Sequence, residues 1–175
     1  MAKQDAVIRL LLVEDQLEDA EHLISMLRNG GMAIRPQRPE SEENLKTLLG
    51  SQSVDMVLVA FDSKYISFEQ VVAAVTATGK DIPVLASVKV LDENSVMAAI
   101  TVGARDVALR TKPEHVQFVV RNEFNALLSR RGLRHLEAEL RETERRCNTL
   151  ISSSRDPIAY IHEGMHIRAN EAYLE

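Results

Sequence analysis

The sequence predicts an α/β protein built on a doubly wound, five-stranded parallel sheet. Three observations predict it. Short apolar runs of strand length alternate with stretches of helical periodicity across residues 6–128. The first, third and fourth runs are near-continuously apolar instead of alternating with polar residues, which marks strands buried on both faces. Gly, Pro, Asn, Asp and Ser punctuate the junctions. Strands that alternate with helices connect by right-handed crossovers. Five of them suggest the flavodoxin-like strand order 2-1-3-4-5, in which function sits at the carboxyl ends of the strands.

Each element follows from its residues. Ala6 to Val13 is an apolar run that stops at Glu14-Asp15, the first strand. Leu17, Ala20, Leu23, Ile24 and Leu27 recur at helical spacing, and Asn29-Gly30-Gly31 ends that helix with a left-handed glycine cap. Ala33 to Arg38 is a second strand, and Pro36 puts it at the sheet edge. Ser41 caps a helix through Leu45, Leu48 and Leu49. Val54 to Phe61 is the third strand, followed by a helix carrying Phe68, Val71, Val72 and Val75. Ile82 to Val88 is the fourth strand, Val96, Ala99 and Ile100 mark a helix ending at Gly103, and Asp106 to Leu109 is a short fifth strand.

The pattern changes at Pro113. Residues 114–150 hold no Pro and one Gly, Gly132. Val116, Val119, Val120, Phe124, Leu127 and Leu128 form a broad stripe that suits packing on the sheet. Beyond Gly132, which marks a candidate bend, Leu133, Leu136, Leu140, Thr143, Cys147 and Leu150 fall at spacings of 3, 4, 3, 4 and 3, an a/d seam. A continuous helix over 114–150 is about 55 Å long at about 1.5 Å per residue. It outreaches a single compact domain, so the seam is expected to pair two copies in a parallel homodimer. Residues 151–175 break with Ser152-Ser153-Ser154 and Asp156-Pro157, then give two short strands around Glu163-Gly164 and a helix that Asn170 could cap. So short a segment cannot bury a core, and it reads as the start of a further domain. The organisation is therefore residues 1–128 as a sheet domain, 129–150 as a connecting helix and 151–175 as a truncated domain.

Composition narrows the function classes. The chain has 175 residues, 45% hydrophobic and 27% charged, with a net charge of −5. That balance opposes nucleic-acid binding through a broad basic surface, and 4% aromatics without Trp oppose base stacking. No run nears the roughly 18 apolar residues of a membrane span, and no signal peptide opens the chain. One cysteine excludes a disulfide scaffold. Together these predict a cytoplasmic protein, with no membrane insertion and no nucleic-acid partner.

Glu14 and Asp15 close the first strand, where an α/β sheet places its site. Two readings stay open on spacing alone: oxygen ligands for a divalent cation such as Mg²⁺, or carboxylates that favour the next helix's N-terminus. Four segments then make a resemblance: Leu10-Leu-Leu-Val-Glu14-Asp15-Gln16, Asp55-Met-Val-Leu-Val-Ala60-Phe61, Ile82-Pro-Val-Leu-Ala-Ser87 and Gly103-Ala-Arg-Asp106. They look like the signature segments of response-regulator receiver (CheY-like) domains. Residues 152–174, from Ser152 through Asp156-Pro157 and Gly164 to Asn170-Glu-Ala-Tyr173-Leu174, resemble the opening of a PAS domain. The pairing, joined by an Arg-rich helix, is similar to receiver-PAS-GGDEF-EAL proteins of cyclic-di-GMP signalling and twitching motility.

The resemblance implies a phosphoacceptor aspartate at the end of the third strand, and that place is Ala60. Alanine offers neither nucleophile nor metal oxygen. The switch hydroxyl corresponds to Val88 by counting, with Ser87 adjacent. The switch aromatic corresponds to Val107 and the phosphate-binding lysine to Arg110. The expectation is a non-phosphorylatable receiver-like module, itself no enzyme and without cofactor, acting through protein contacts and a homodimer of the 114–150 helix. Any Mg²⁺ site at Glu14 and Asp15 is expected to be weak. The alternative is a phosphorelay receiver that uses Asp62 as acceptor, two residues past Ala60. His162 and His166 straddle Gly164 and do not suit zinc. His135 reads as a solvated helical residue, Cys147 as a small seam residue, and Arg130-Arg131 and Arg145-Arg146 as parts of a solvated face.

Overall fold

The computed structural model describes residues 6–174; the side chain of His166 lies outside the described residues. The chain divides into two compact units, Met1–Leu128 and Ser129–Glu175.

In the first unit, five parallel strands run β1 Ile8–Val13, β2 Ile34–Gln37, β3 Met56–Ala60, β4 Val84–Val88 and β5 Asp106–Leu109. Their spatial order is β2-β1-β3-β4-β5, as the alternating pattern predicts. Pro36 stands on the edge strand β2, where its missing N–H costs no ladder bond. Helices α1 Leu17–Asn29, α2 Glu42–Ser51, α3 Phe68–Ala77 and α4 Glu93–Val102 fill the crossovers, and α5 begins at Pro113. The N-caps of α2, α3 and α4 have local causes. The Ser41 hydroxyl accepts the Asn44 amide, Ser67 and Gln70 close a reciprocal capping box, and Asp92 accepts the Ser95 amide. The left-handed residue after α1 is Gly31, at φ +78°, and Gly30 keeps a negative φ.

The central strands are buried on both faces, so two cores form. One face sets Leu11, Val13, Val57, Val59, Ala86, Val88 and Val107 against α2, α3 and α4. The other sets Leu10, Leu12, Met56, Leu58, Leu85 and Ala108 against Leu23 and Leu27 of α1 and Val116, Val120 and Leu127 of α5. At the amino end of the sheet Arg9 meets the carboxylate of Asp55, which is only 2% exposed, with Nε at 2.9 Å and Nη2 at 3.1 Å. This two-pronged pair anchors the start of β3 to β1. In sequence, Asp55 serves only as the anchor for counting to Ala60.

Helix α5 runs as one element from Pro113 to Ser153, through Gly132 and three residues past the expected end at 150. Its buried residues are Val116, Val119, Val120, Phe124 and Leu127, all before the second unit begins. From Gly132 to Leu150 every residue is exposed.

In the second unit, β6 Ala159–His162 and β7 Met165–Ala169 pair antiparallel. Glu163 and Gly164 join them with φ values of 49° and 80°, the two-residue turn whose twist matches a hairpin. Helix α6, Glu171–Leu174, follows. Asn170 directly precedes it, but the Asn170 side chain turns back. Its Oδ1 accepts the Ile158 amide at 2.8 Å and its Nδ2 donates to the Asp156 carbonyl at 2.8 Å. It ties the two ends of the hairpin instead of capping α6 through its side chain. Asn170 is also the one described residue of this unit that is buried.

Candidate functional site

The site lies at the carboxyl ends of β1, β3, β4 and β5. Strand register brings its residues into one row: Val13 pairs with Val59, Ala60 with Ser87, and Ser87 with Ala108. Alternate residues share a face. Leu12, Leu58, Leu85 and Ala108 face α1 and α5. Glu14, Ala60, Ser87 and Arg110 stand two residues on from Leu12, Leu58, Leu85 and Ala108, so they carry that face to the strand ends. Val88 and Val107 instead sit in the opposite core, beneath α3 and α4. Of the two positions that counting offers for a switch hydroxyl, Val88 and Ser87, only Ser87 stands on the Ala60 face.

Ala60 is the last residue of β3 and is 1% exposed. The chemistry around it centres on Arg110, whose side chain is buried. Arg110 Nη1 donates to Glu14 Oε2 at 3.1 Å, and Nη2 donates to Asp62 and, at 3.3 Å, to the Ser87 carbonyl. Asp62 also meets Lys89 Nζ at 3.2 Å. Asp62 stands two residues past Ala60, beyond the end of β3. It is in the loop, and Arg110 links it to Glu14. Burial raises the Asp62 carboxyl pKa, but the hydrogen bonds from Arg110 and Lys89 outweigh burial and leave it below the usual carboxylate range.

Asp15 is held differently. Ser63 Oγ donates to it at 2.6 Å and the Lys64 amide at 2.8 Å. Partial burial raises its pKa too, and these donors bring it below the ordinary value. Arg38 Nη2 donates to the Glu14 carbonyl at 2.8 Å. A polar cavity of about 340 Å³, lined by Glu14, Asp15, Arg38, Glu40 and Tyr65 among others, opens beside the pair. Among the described residues two buried side-chain polar atoms have no hydrogen-bond partner, Ser87 Oγ and Arg110 Nε.

A receiver's pocket implies Mg²⁺, and the residues present do not fit it. Glu14 is engaged by a guanidinium, Asp15 by a hydroxyl and an amide, and Ala60 adds no oxygen. Among the described residues no group of three or more His, Cys, Asp or Glu side chains could hold a metal ion. Sequence counting reaches Glu14, Asp15, Ala60, Ser87 and Arg110. It gives no indication of Lys89, Ser63 or Lys64, which arrive only when separate loops meet.

The five-stranded unit superimposes on receiver domains of known structure. The signal receiver domain of NarL from Mycobacterium tuberculosis matches with a TM-score of 0.57 at 17% identity, over 67% of this chain and 96% of that one. This unit has the receiver fold. A response regulator from Chloroflexus aurantiacus matches with a TM-score of 0.60 at 22% identity, covering 69% of this chain and 99% of that one. A yeast Spc42 trimeric coiled coil fused to another structure gives a TM-score of 0.61 at 16% identity, over 85% of this chain and 96% of that one. No protein-family model and no curated protein matches the sequence. Among the described residues no helix is long and apolar enough to cross a membrane. At the strand ends of this fold stand Ala60, the last residue of β3, and Arg110, which pairs with Glu14 and Asp62.

Proposed function

We propose that this chain is a signalling module whose receiver unit accepts no phosphate and works by protein contact. The observation that carries the reading is Ala60, a buried methyl group at the end of β3 where the receiver reaction needs a carboxylate. A module without the nucleophile retains its surfaces, and the exposed seam on α5 is the surface that asks for a partner. Leu133, Leu136, Leu140 and Leu150 are each at least 60% exposed, and Cys147 is exposed on the same seam. Burying each leucine gains about 1.5–3 kcal/mol. Thr143 and Cys147 weaken the seam, and it is short for an isolated coiled coil, so neighbouring domains add to the pairing. The partner is a second copy in parallel.

The segment after α5 supports a PAS domain, with a hairpin closed by Asn170 and followed by a short helix. By its resemblance to the N-terminal portion of FimX, the chain feeds cyclic-di-GMP signalling in the cytoplasm, linked to twitching motility, through GGDEF and EAL domains downstream. The receiver unit itself is no enzyme. One observation favours a second reading: Asp62 pairs with Lys89 and Arg110 beside the pocket and is 52% exposed, so a phosphoryl donor could reach it.

Intact-mass measurement after incubation with acetyl phosphate and Mg²⁺ separates the two. The proposal expects an unchanged mass. An added phosphoryl group (about 80 Da) that vanishes in Asp62→Asn establishes the second reading instead.

A further inference from the structure

The geometry points to Arg110 as a permanent, built-in cation that replaces the metal of the acidic pocket and ties the strand-end loops without it. Three observations carry this. First, one guanidinium spans Glu14 at the end of β1 and Asp62 in the loop after β3, while also reaching the Ser87 carbonyl of β4 from its own place after β5. Lys89, in the loop after β4, closes the set by pairing with Asp62. A guanidinium keeps its charge at every accessible pH and presents a planar fork suited to two carboxylates. Second, a divalent ion needs free anionic oxygens, and the Glu14 and Asp62 carboxylates are already turned to Arg110. Third, Ser87 Oγ and Arg110 Nε are buried without a partner, and Ser87 stands in register with Ala60. They are the polar groups on the Ala60 face that a carboxylate at position 60 would satisfy. Ala60 and Arg110 are thus two coupled departures. Returning the carboxylate alone fills the two orphaned hydrogen bonds and binds it to Arg110; it does not remake a metal site.

This rests on the receiver reading of the pocket, and its test is separate from phosphorylation. Mg²⁺ is titrated calorimetrically into the full chain and into Ala60→Asp, Arg110→Gln and the double variant, with thermal unfolding followed in parallel. Wild type and Ala60→Asp should show no saturable binding up to about 10 mM, the range of weak oxygen-ligand sites. Ala60→Asp should melt higher than wild type with or without Mg²⁺. Arg110→Gln should melt lower and be raised by Mg²⁺, and the double variant should bind it at least about tenfold more tightly than Arg110→Gln, because one more anionic oxygen joins the set. Saturable binding by wild type, or equal binding by Ala60→Asp and the double variant, overturns the inference. Were Arg110→Gln to fail to fold, the pair of wild type and Ala60→Asp still decides, since Mg²⁺ binding restored by Ala60→Asp alone contradicts it. A phosphorylated wild type that binds no Mg²⁺ in this titration would defeat the proposed function and leave Arg110's role standing.

Discussion

The two halves of α5 belong to one helix and lead opposite lives. In the first half the stripe of Val116, Val120 and Leu127 is buried, each 0% exposed, while Phe118 and, against the sequence expectation, Leu128 stand out of it. In the second half, leucines at the same kind of spacing stand in solvent, Leu140 at 60% and Leu150 at 71%. The local sequence logic is the same in both halves; what differs is the presence of a sheet to pack on. Helical periodicity therefore states that a face is to be buried, and only topology states against what. The first half completes a fold. The second half leaves its apolar face in solvent, and Tyr160, Ile161, Met165 and Ile167 of the hairpin after it are exposed as well.

Truncating one leucine beneath the first half and one within the second sharpens this contrast most. Leu58→Ala, in the core that the first half of α5 covers, should cost about 2–5 kcal/mol of unfolding free energy through lost burial and a cavity. Leu140→Ala should leave the receiver unit's unfolding free energy within about 0.5 kcal/mol of wild type and weaken self-association instead. Denaturant titration checks the first and dilution-dependent sedimentation the second. A large loss of unfolding free energy in Leu140→Ala would mean that this half packs on its own chain. A smaller effect comes from Ser67→Ala, which opens the capping box of α3 and should lower stability by about 1 kcal/mol without touching association.

The smallest effect is electrostatic. The Ser95 amide and hydroxyl bond to the Asp92 carboxylate and hold its pKa below the ordinary value. A lowered folded-state pKa means stabilisation that is complete above the unfolded carboxylate value and is lost as the pH falls through the folded one. Carboxylate ¹³C shifts should place Asp92 below an ordinary aspartate, and Asp92→Asn should remove that titration while leaving dimerisation intact. Titration at the ordinary value would show that the α4 cap is not formed in solution.

Legibility in the sequence followed the range of the interactions. β1, β3 and β4 are nearly continuous apolar runs, broken only by Arg9 and Ser87, and read directly, and Ser41 before α2 reads as a cap. The strand ends ran a residue or two long, because Ala6, Val54 and Ile82 are apolar without joining the ladder. Ala60 and Arg110 were reachable by counting along motifs. That Arg110 grips Glu14 was not, for the two are 96 residues apart and meet only through the order of the strands. Nor was the grip of Ser63 and Lys64 on Asp15, which depends on how the loop after β3 turns. Residue identity gave the chemistry of each position, and the joining of positions came from the fold.

The central claim is an assembly that needs no phosphate. It is tested most directly by sedimentation equilibrium of the full chain and of Leu136→Glu/Leu140→Glu, each with and without acetyl phosphate and Mg²⁺. The account predicts a wild-type dimer of micromolar or tighter affinity whose dissociation constant is the same in both conditions, and a folded monomer for the variant in both. A wild-type chain that is monomeric until the phosphoryl donor is added, or a variant that stays dimeric, would contradict it.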